Sequence, residues 1–173
     1  MQPMTVEIVQ ISQAHAAGFQ ACLDAVAREK RYLAQIAAPP LERVQSFVRD
    51  SVLNNVAQYV ALDGDAVVGW CDVFADWASA VAHCGTLGMG VLAAYRGRGI
   101  GTRLIAATLA HARRQGLARI ELEVRIDNIG AIRLYERVGF APEGRKRKRL
   151  HFDGVYFDAL TMGLLLLDEA LPA

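Results

Sequence analysis

The sequence predicts an α/β chain of the α+β kind, with a mostly antiparallel sheet of six to seven strands and about four helices, folded as one domain over residues 1–173. Three observations carry this. Short alternating or β-branched runs recur along the chain, two of them joined to a second run by Asp-Gly turns. Between these runs lie segments with apolar residues every three to four positions. Finally, 173 residues at 53% hydrophobic and 21% charged have the length and balance to bury one sizeable core.

Residues 6–11 alternate well enough for a first strand, and Ser12 is a fair cap for a helix over about 14–30, with Phe19, Cys22, Leu23 and Val26 on one face. Arg28, Glu29, Lys30, Arg31, Tyr32 and Leu33 read either as a solvated helix end or as a wall of a substrate site. Pro39 and Pro40 break the chain, after which Leu41, Val44, Phe47, Val48 and Val52 mark a second helix. Runs at 59–62 and 66–74, joined by Asp63, Gly64 and Asp65, predict a hairpin. A strand over 83–91 follows, in which Gly88 and Gly90 flank Met89; glycine weakens a strand unless a bulge or a close approach requires it. Residues 119–125 alternate, with Ile120, Leu122 and Val124 on one face. A helix over 128–138 is capped by Asn128 and stopped by Gly139, and a closing hairpin over 146–152 and 155–164 turns at Asp153 and Gly154.

The functional signal is the stretch around residues 96–102, Arg-Gly-Arg-Gly-Ile-Gly-Thr, between the fourth strand and an amphipathic helix bearing Leu104, Ile105, Thr108, Leu109 and Ala112 and stopped at Gly116. Helix N-termini leave backbone N–H groups unpaired and favour negative charge, glycines admit a bulky anion, and arginines add charge-assisted hydrogen bonds. A pyrophosphate suits such a site. No Gly-Lys pair exists for a Walker loop, and a dinucleotide Gly-x-Gly-x-x-Gly counted from Gly97 would need glycine where Thr102 stands.

The remaining pattern, Arg-x-x-Gly-x-Gly at Arg96, Gly99 and Gly101, resembles the pyrophosphate loop of the GNAT superfamily of N-acetyltransferases. The segment from Asn128 to Phe140 resembles the second signature of that family, Asn-x-x-Ala-x-x-Leu-Tyr-x-x-x-Gly-Phe, through Asn128, Ala131, Leu134, Tyr135, Gly139 and Phe140. The resemblance covers nearly the whole chain. It implies the GNAT acyl-CoA N-acyltransferase fold with a splayed central strand, and acetyl-CoA as cosubstrate. By the same resemblance, Met89, Gly90 and Val91 bond through their main chain to the pantetheine arm. Arg96, Gly97, Arg98, Gly99, Ile100, Gly101 and Thr102 hold the pyrophosphate, with Asn128, Ala131 and Tyr135 also at the coenzyme. It further implies that Tyr135 protonates the departing thiolate and that the paired helices after the first strand shape the acceptor pocket.

Acetyl transfer to an amine also needs a base. Some relatives carry a carboxylate four residues before the position of Val91; this chain has Leu87 there. Glu123, Asp72, Asp76 and His83 are the candidates, with Glu123 carried forward as the catalytic one, and a water chain to solvent is the alternative. The tail from Gly144 through Met162 resembles a subgroup that acetylates small amines and amino acids, which implies direct transfer to a small primary amine such as an amino acid or polyamine. A protein N-terminus, a lysine side chain, or a regulatory module that binds acyl-CoA without turnover are the rival readings.

A net charge of +1 argues against a globally basic nucleic-acid binder. The run Arg145, Lys146, Arg147, Lys148, Arg149 has no interleaved aromatics and, as a strand, splits between two faces, so it reads as a solvated edge, with coenzyme or acidic-substrate contact as the alternative. No basic leader or ~18-residue apolar run is present, so a cytoplasmic protein without membrane contact is expected. Cys22, Cys71 and Cys84 suggest neither a disulfide framework nor a zinc site, and no metal is expected. The hydrophobic composition and the apolar end at residues 164–167 suggest a homodimer.

Overall fold

Seven strands and four α-helices follow one another in a computed structural model that describes residues 5–166. The sheet order is β1-β2-β3-β4-β5-β7-β6. By packing, the chain falls into two compact units, Met1–Asp72 with Gly88–Leu109, and Val73–Leu87 with Ala110–Ala173.

The first unit opens with β1 (Glu7–Gln10), which pairs antiparallel with β2 (Ala57–Asp63) from Glu7 opposite Leu62 to Gln10 opposite Tyr59. A single 3₁₀ turn at Gln13–His15 leads into α1 (Ala16–Arg28), and Ser12 caps it in a box with His15. The helix is thus shorter at both ends than periodicity predicts, because the chain enters through 3₁₀ geometry and leaves before Lys30, which has a positive φ of 50°. Helix α2 (Leu41–Leu53) starts after Pro40, where a missing N–H costs nothing. Phe19, Cys22 and Val26 of α1 meet Val44 and Val48 of α2, Val60 of β2 and Trp70 of β3 (Ala66–Ala75) in one apolar cluster. Gly64 takes a φ of +59° at the first central position of the turn from β2 to β3. The unit also holds the end of β4 (Cys84–Val91) and most of α3 (Ile100–Arg114). On α3 the expected face is realised: Leu104, Ile105 and Thr108 are fully buried.

In the second unit β5 (Arg119–Arg125) forms as predicted, and buries Ile120, Leu122 and Val124. It pairs in parallel with β4 through Cys84, Gly85 and Thr86, and antiparallel with β7 (Val155–Leu165) along its full length. Helix α4 (Ile129–Val138) ends at Gly139, with φ +113°. Strand β6 (Ala141–Phe152) begins earlier than alternation suggests, and its register with β7 shifts between Pro142 and Gly144 and again between Lys146 and Leu150. The second shift, with Lys148 at φ 51°, interrupts the expected alternation of the basic run. Asp153 and Gly154 both have positive φ, as a type I′ turn requires. Leu164 and Leu165 end β7, whereas Leu167 lies outside the described residues.

Candidate active site

The glycine-rich loop lies in the first unit. Gly97 and Gly99 have φ of +72° and +75°, and a Cβ on either would meet nothing within 4 Å. Conformation, not space, therefore demands glycine at both. The Gly99 carbonyl accepts from the Arg103 N–H at 3.1 Å, so the helix begins there, and the N–H groups of its first turn have no intrahelical acceptor. Arg98 and Arg103 are exposed beside this end, Arg98 lying over the Tyr95 ring. Such a loop fits a pyrophosphate-bearing coenzyme.

Arg96 is engaged within the protein. Its Nε donates to the Val91 carbonyl at 2.8 Å, its two terminal nitrogens donate to Glu29 at 2.9 and 2.6 Å, and its guanidinium covers the Tyr32 ring at 4.6 Å. The Glu29 hydrogen bonds are the largest cause of its raised pKa. Its side chain thus ties the loop to the end of β4 and to the segment after α1. Of the two readings of residues 28–33, a solvated helix end does not cover Glu29 and Tyr32, whose role sequence spacing could not show because the pair spans 67 positions.

Along β4, Met89 and Val91 are half-buried and Gly90 is buried. A Cβ on Gly90 would lie 2.3 Å from Cη2 and 2.5 Å from Cζ3 of Trp70, so this glycine is required by an indole edge. A Cβ on Gly88 would lie 3.0 Å from Oδ1 of Asp72. The Gly88 N–H donates to the Asp72 carboxylate, and burial, the larger effect, raises that carboxyl to about 7. Leu87 is buried.

The second unit holds the other named residues. The Asn128 side chain accepts from the Ala131 N–H at 3.3 Å and so caps α4, with Ala131 half-buried in its first turn. Tyr135 is buried, its ring edge-on to Phe140 at 5.8 Å, and its carbonyl accepts the N–H groups of Gly139 and Phe140. The signature glycine therefore closes the helix under the tyrosine. Glu123 accepts from Lys146 and, at 2.5 Å, from Arg149. Burial opposes ionisation, but those two hydrogen bonds outweigh it and hold the carboxyl below the usual range. A carboxylate held by two cations is a weak base.

Asp76 and His83 are exposed. Cys22, Cys71 and Cys84 are buried and free; burial pushes Cys22 up to about 12 and raises Cys71 as well. Cations of the basic run are taken up within the unit: Lys146 and Arg149 by Glu123, Arg145 by Asp158, which also accepts the Lys148 N–H. Arg125, which strict alternation puts on the face of β5 opposite Ile120, Leu122 and Val124, is buried over Phe157 at 3.9 Å and paired with Asp127. Alternation cannot foresee a guanidinium stacked on an aromatic ring. Among the described residues no group of three or more His, Cys, Asp or Glu is placed to hold a metal, and no helix is long and apolar enough to cross a membrane.

Comparison with known proteins agrees with these features. The chain is 36% identical over 99 residues to N-alpha-acetyltransferase 30 of Schizosaccharomyces pombe, covering 54% of this chain and 60% of that protein. It is 46% identical over 74 residues to the N-alpha-acetyltransferase RimI of Mycobacterium tuberculosis, covering 43% and 44%. It thus spans less than two thirds of the length of either relative. In structure it superposes on YncA of Salmonella typhimurium, solved with its cofactor acetyl-CoA, with a TM-score of 0.88 over 97% of this chain and 98% of that one at 19% identity, which shows a shared fold. The profile of the Acetyltransferase (GNAT) family matches residues 20–140, and the chain, with its Arg96–Gly101 loop and its Asn128–Phe140 signature, belongs to that family.

Proposed function

We propose that this protein transfers an acetyl group from acetyl-CoA directly to a primary amine of a small molecule, such as an amino acid or polyamine. The observation that carries the reading is the loop at residues 96–102, where left-handed Gly97 and Gly99, exposed arginines and a helix N-terminus converge. The coenzyme would supply an activated thioester, and the chain would do the rest. Backbone N–H groups of the loop and of the first turn of α3 bind the pyrophosphate, and the main chain of Met89, Gly90 and Val91 orients the pantetheine arm. A strand N–H near Val91 stabilises charge on the carbonyl oxygen. The Tyr135 phenol donates its proton to the departing sulfur. Burial keeps the Cys22 and Cys71 thiols protonated, and since the thiolate is the nucleophilic form neither is suited to carry the acyl group.

A second reading, acetylation of a protein N-terminal amine, is favoured by the names of both relatives. Release of free coenzyme A, followed across amino acids, polyamines and short peptides with free or blocked N-termini, separates the two. Turnover of peptides alone would refute the small-molecule reading, and acetyl-CoA binding without release to any amine would refute the transferase. A homodimer in the cytoplasm belongs to the same proposal, and a monomeric sedimentation profile at micromolar concentration would refute the dimer.

A further inference from the structure

The proposed transfer has no base at residue 87, where the buried Leu87 stands. We propose that Asp72 of β3 is the general base, taking a proton from the ammonium group of the acceptor; this rests on the reading of the chain as an amine acetyltransferase.

Three features of its placement point there. Asp72 is two residues from Trp70 and so shares its face of β3, the face on which Trp70 packs edge-on to Phe19 of α1 at 5.7 Å. Its carboxylate accepts the Gly88 N–H of β4, and residue 88 has no side chain to crowd it, a Cβ there falling 3.0 Å from Oδ1. The residues that follow are Met89, Gly90 and Val91, the stretch assigned to the pantetheine arm. A carboxylate absent from β4 is thus offered to β4 by its neighbour, at a residue that is half-buried and not sealed.

The surroundings suit proton exchange near neutrality. Burial raises the carboxyl to about 7 against the opposing Gly88 hydrogen bond, and no charge is among the causes. On its own strand, Cys71 feels its charge and stays protonated through burial. On facing β4 its partner is Gly88, which carries no titratable side chain. A base works best with a pKa near the working pH, which separates Asp72 from the cation-bound Glu123.

The protons balance. The ammonium carries three, and the amide keeps one. One passes to Asp72, generating the amine whose lone pair forms the C–N bond, and leaves to water after turnover. The other ends on the sulfur, through the tyrosine phenol, as the C–S bond breaks.

The test is Asp72→Asn, which keeps an oxygen for the Gly88 N–H and removes the basic site. Coenzyme A release is measured against pH with free amino acids, polyamines and short peptides. The parent should show kcat/KM rising through about pH 7. The variant should bind acetyl-CoA within about twofold of the parent, lose that rise, and fall by about 10²-fold or more at neutral pH. A merely structural Asp72 would leave the profile in place. Independently of any variant, the ¹³C shift of the Asp72 carboxyl in the intact protein should titrate near 7, and titration near 4 would overturn the proposal. Equal turnover and an unchanged profile in Asp72→Asn would overturn Asp72 alone and leave the acetyltransferase standing. A parent that binds acetyl-CoA and releases thiol to no amine would overturn that reading, and the role of Asp72 with it.

Discussion

Gly90→Ala should damage the fold through Trp70. A Cβ at residue 90 would sit 2.3, 2.5 and 3.1 Å from Cη2, Cζ3 and Cζ2 of the indole, whereas carbon–carbon contact is comfortable at about 3.5–4.0 Å. The strand or the ring must therefore shift by more than about 1 Å. Trp70 is only 3% exposed and is wedged against Phe19, so no flexible end can swing away. Overpacking of this kind costs about 2–3 kcal/mol, which in a domain of this size lowers Tm by about 4–12 °C. The assay is thermal melting together with tryptophan emission in a Trp77→Phe background, since Trp77 is 95% exposed and would otherwise mask Trp70. Emission should move to the red as the indole is displaced. Gly130→Ala is the control: nothing lies within 4 Å of its Cβ, and alanine in a helix gains up to about 1 kcal/mol over glycine. A Gly90→Ala protein melting within a degree of the parent, with unshifted emission, would refute the packing argument.

Three other outcomes are expected. Gly99→Val forces a β-branched side chain to φ +75°, which should cost about 1–3 kcal/mol and abolish acetyl-CoA binding by calorimetry while the protein stays folded; unchanged affinity would remove the loop from the coenzyme site. Tyr135→Phe keeps the ring against Phe140 and should lower kcat at least about tenfold with little change in coenzyme affinity, whereas parental turnover with chemistry rate-limiting would make Tyr135 a packing residue. Asp72→Asn should also change the pH dependence of stability. The folded carboxyl titrates at about 7 against an ordinary 3.8, so the parent loses stability as pH rises between those values, and asparagine escapes the loss. The variant should match the parent below about pH 4 and exceed it by about 2 kcal/mol above pH 7, the full interval of about 4 being reduced for partial exposure; a constant difference across that range in urea melts would contradict the raised carboxyl.

Most elements could be read from the chain because their signals are local. The alternation of Arg119–Arg125, the cap at Asn128 and the stop at Gly139 each depend on neighbours a few residues away. The early start of β6 was hidden because its first residues, Ala141, Pro142, Glu143 and Gly144, are poor strand formers held by pairing with β7, a non-local partner. The glycines of β4 were visible as anomalies, but their causes, an indole edge and a carboxylate, come from β3. Glu123 looked like a candidate base because its charge was plain, while the Lys146 and Arg149 that hold it lie more than twenty residues away. Asp72 stood out from sequence only as one acidic residue among several. Its distinction is burial beside a backbone N–H, which no spacing encodes.

The Arg96 latch carries a consequence for engineering. One guanidinium holds the Val91 carbonyl, Glu29 and Tyr32 at once, so residues just after α1 share their anchor with the glycine-rich loop. On the proposed function, libraries that vary residues 29–33 to change the acceptor would therefore also vary coenzyme affinity, and hits selected at saturating acetyl-CoA would fade at lower concentrations. Keeping Glu29 and Tyr32 fixed while varying Arg31 and Leu33 separates the two traits.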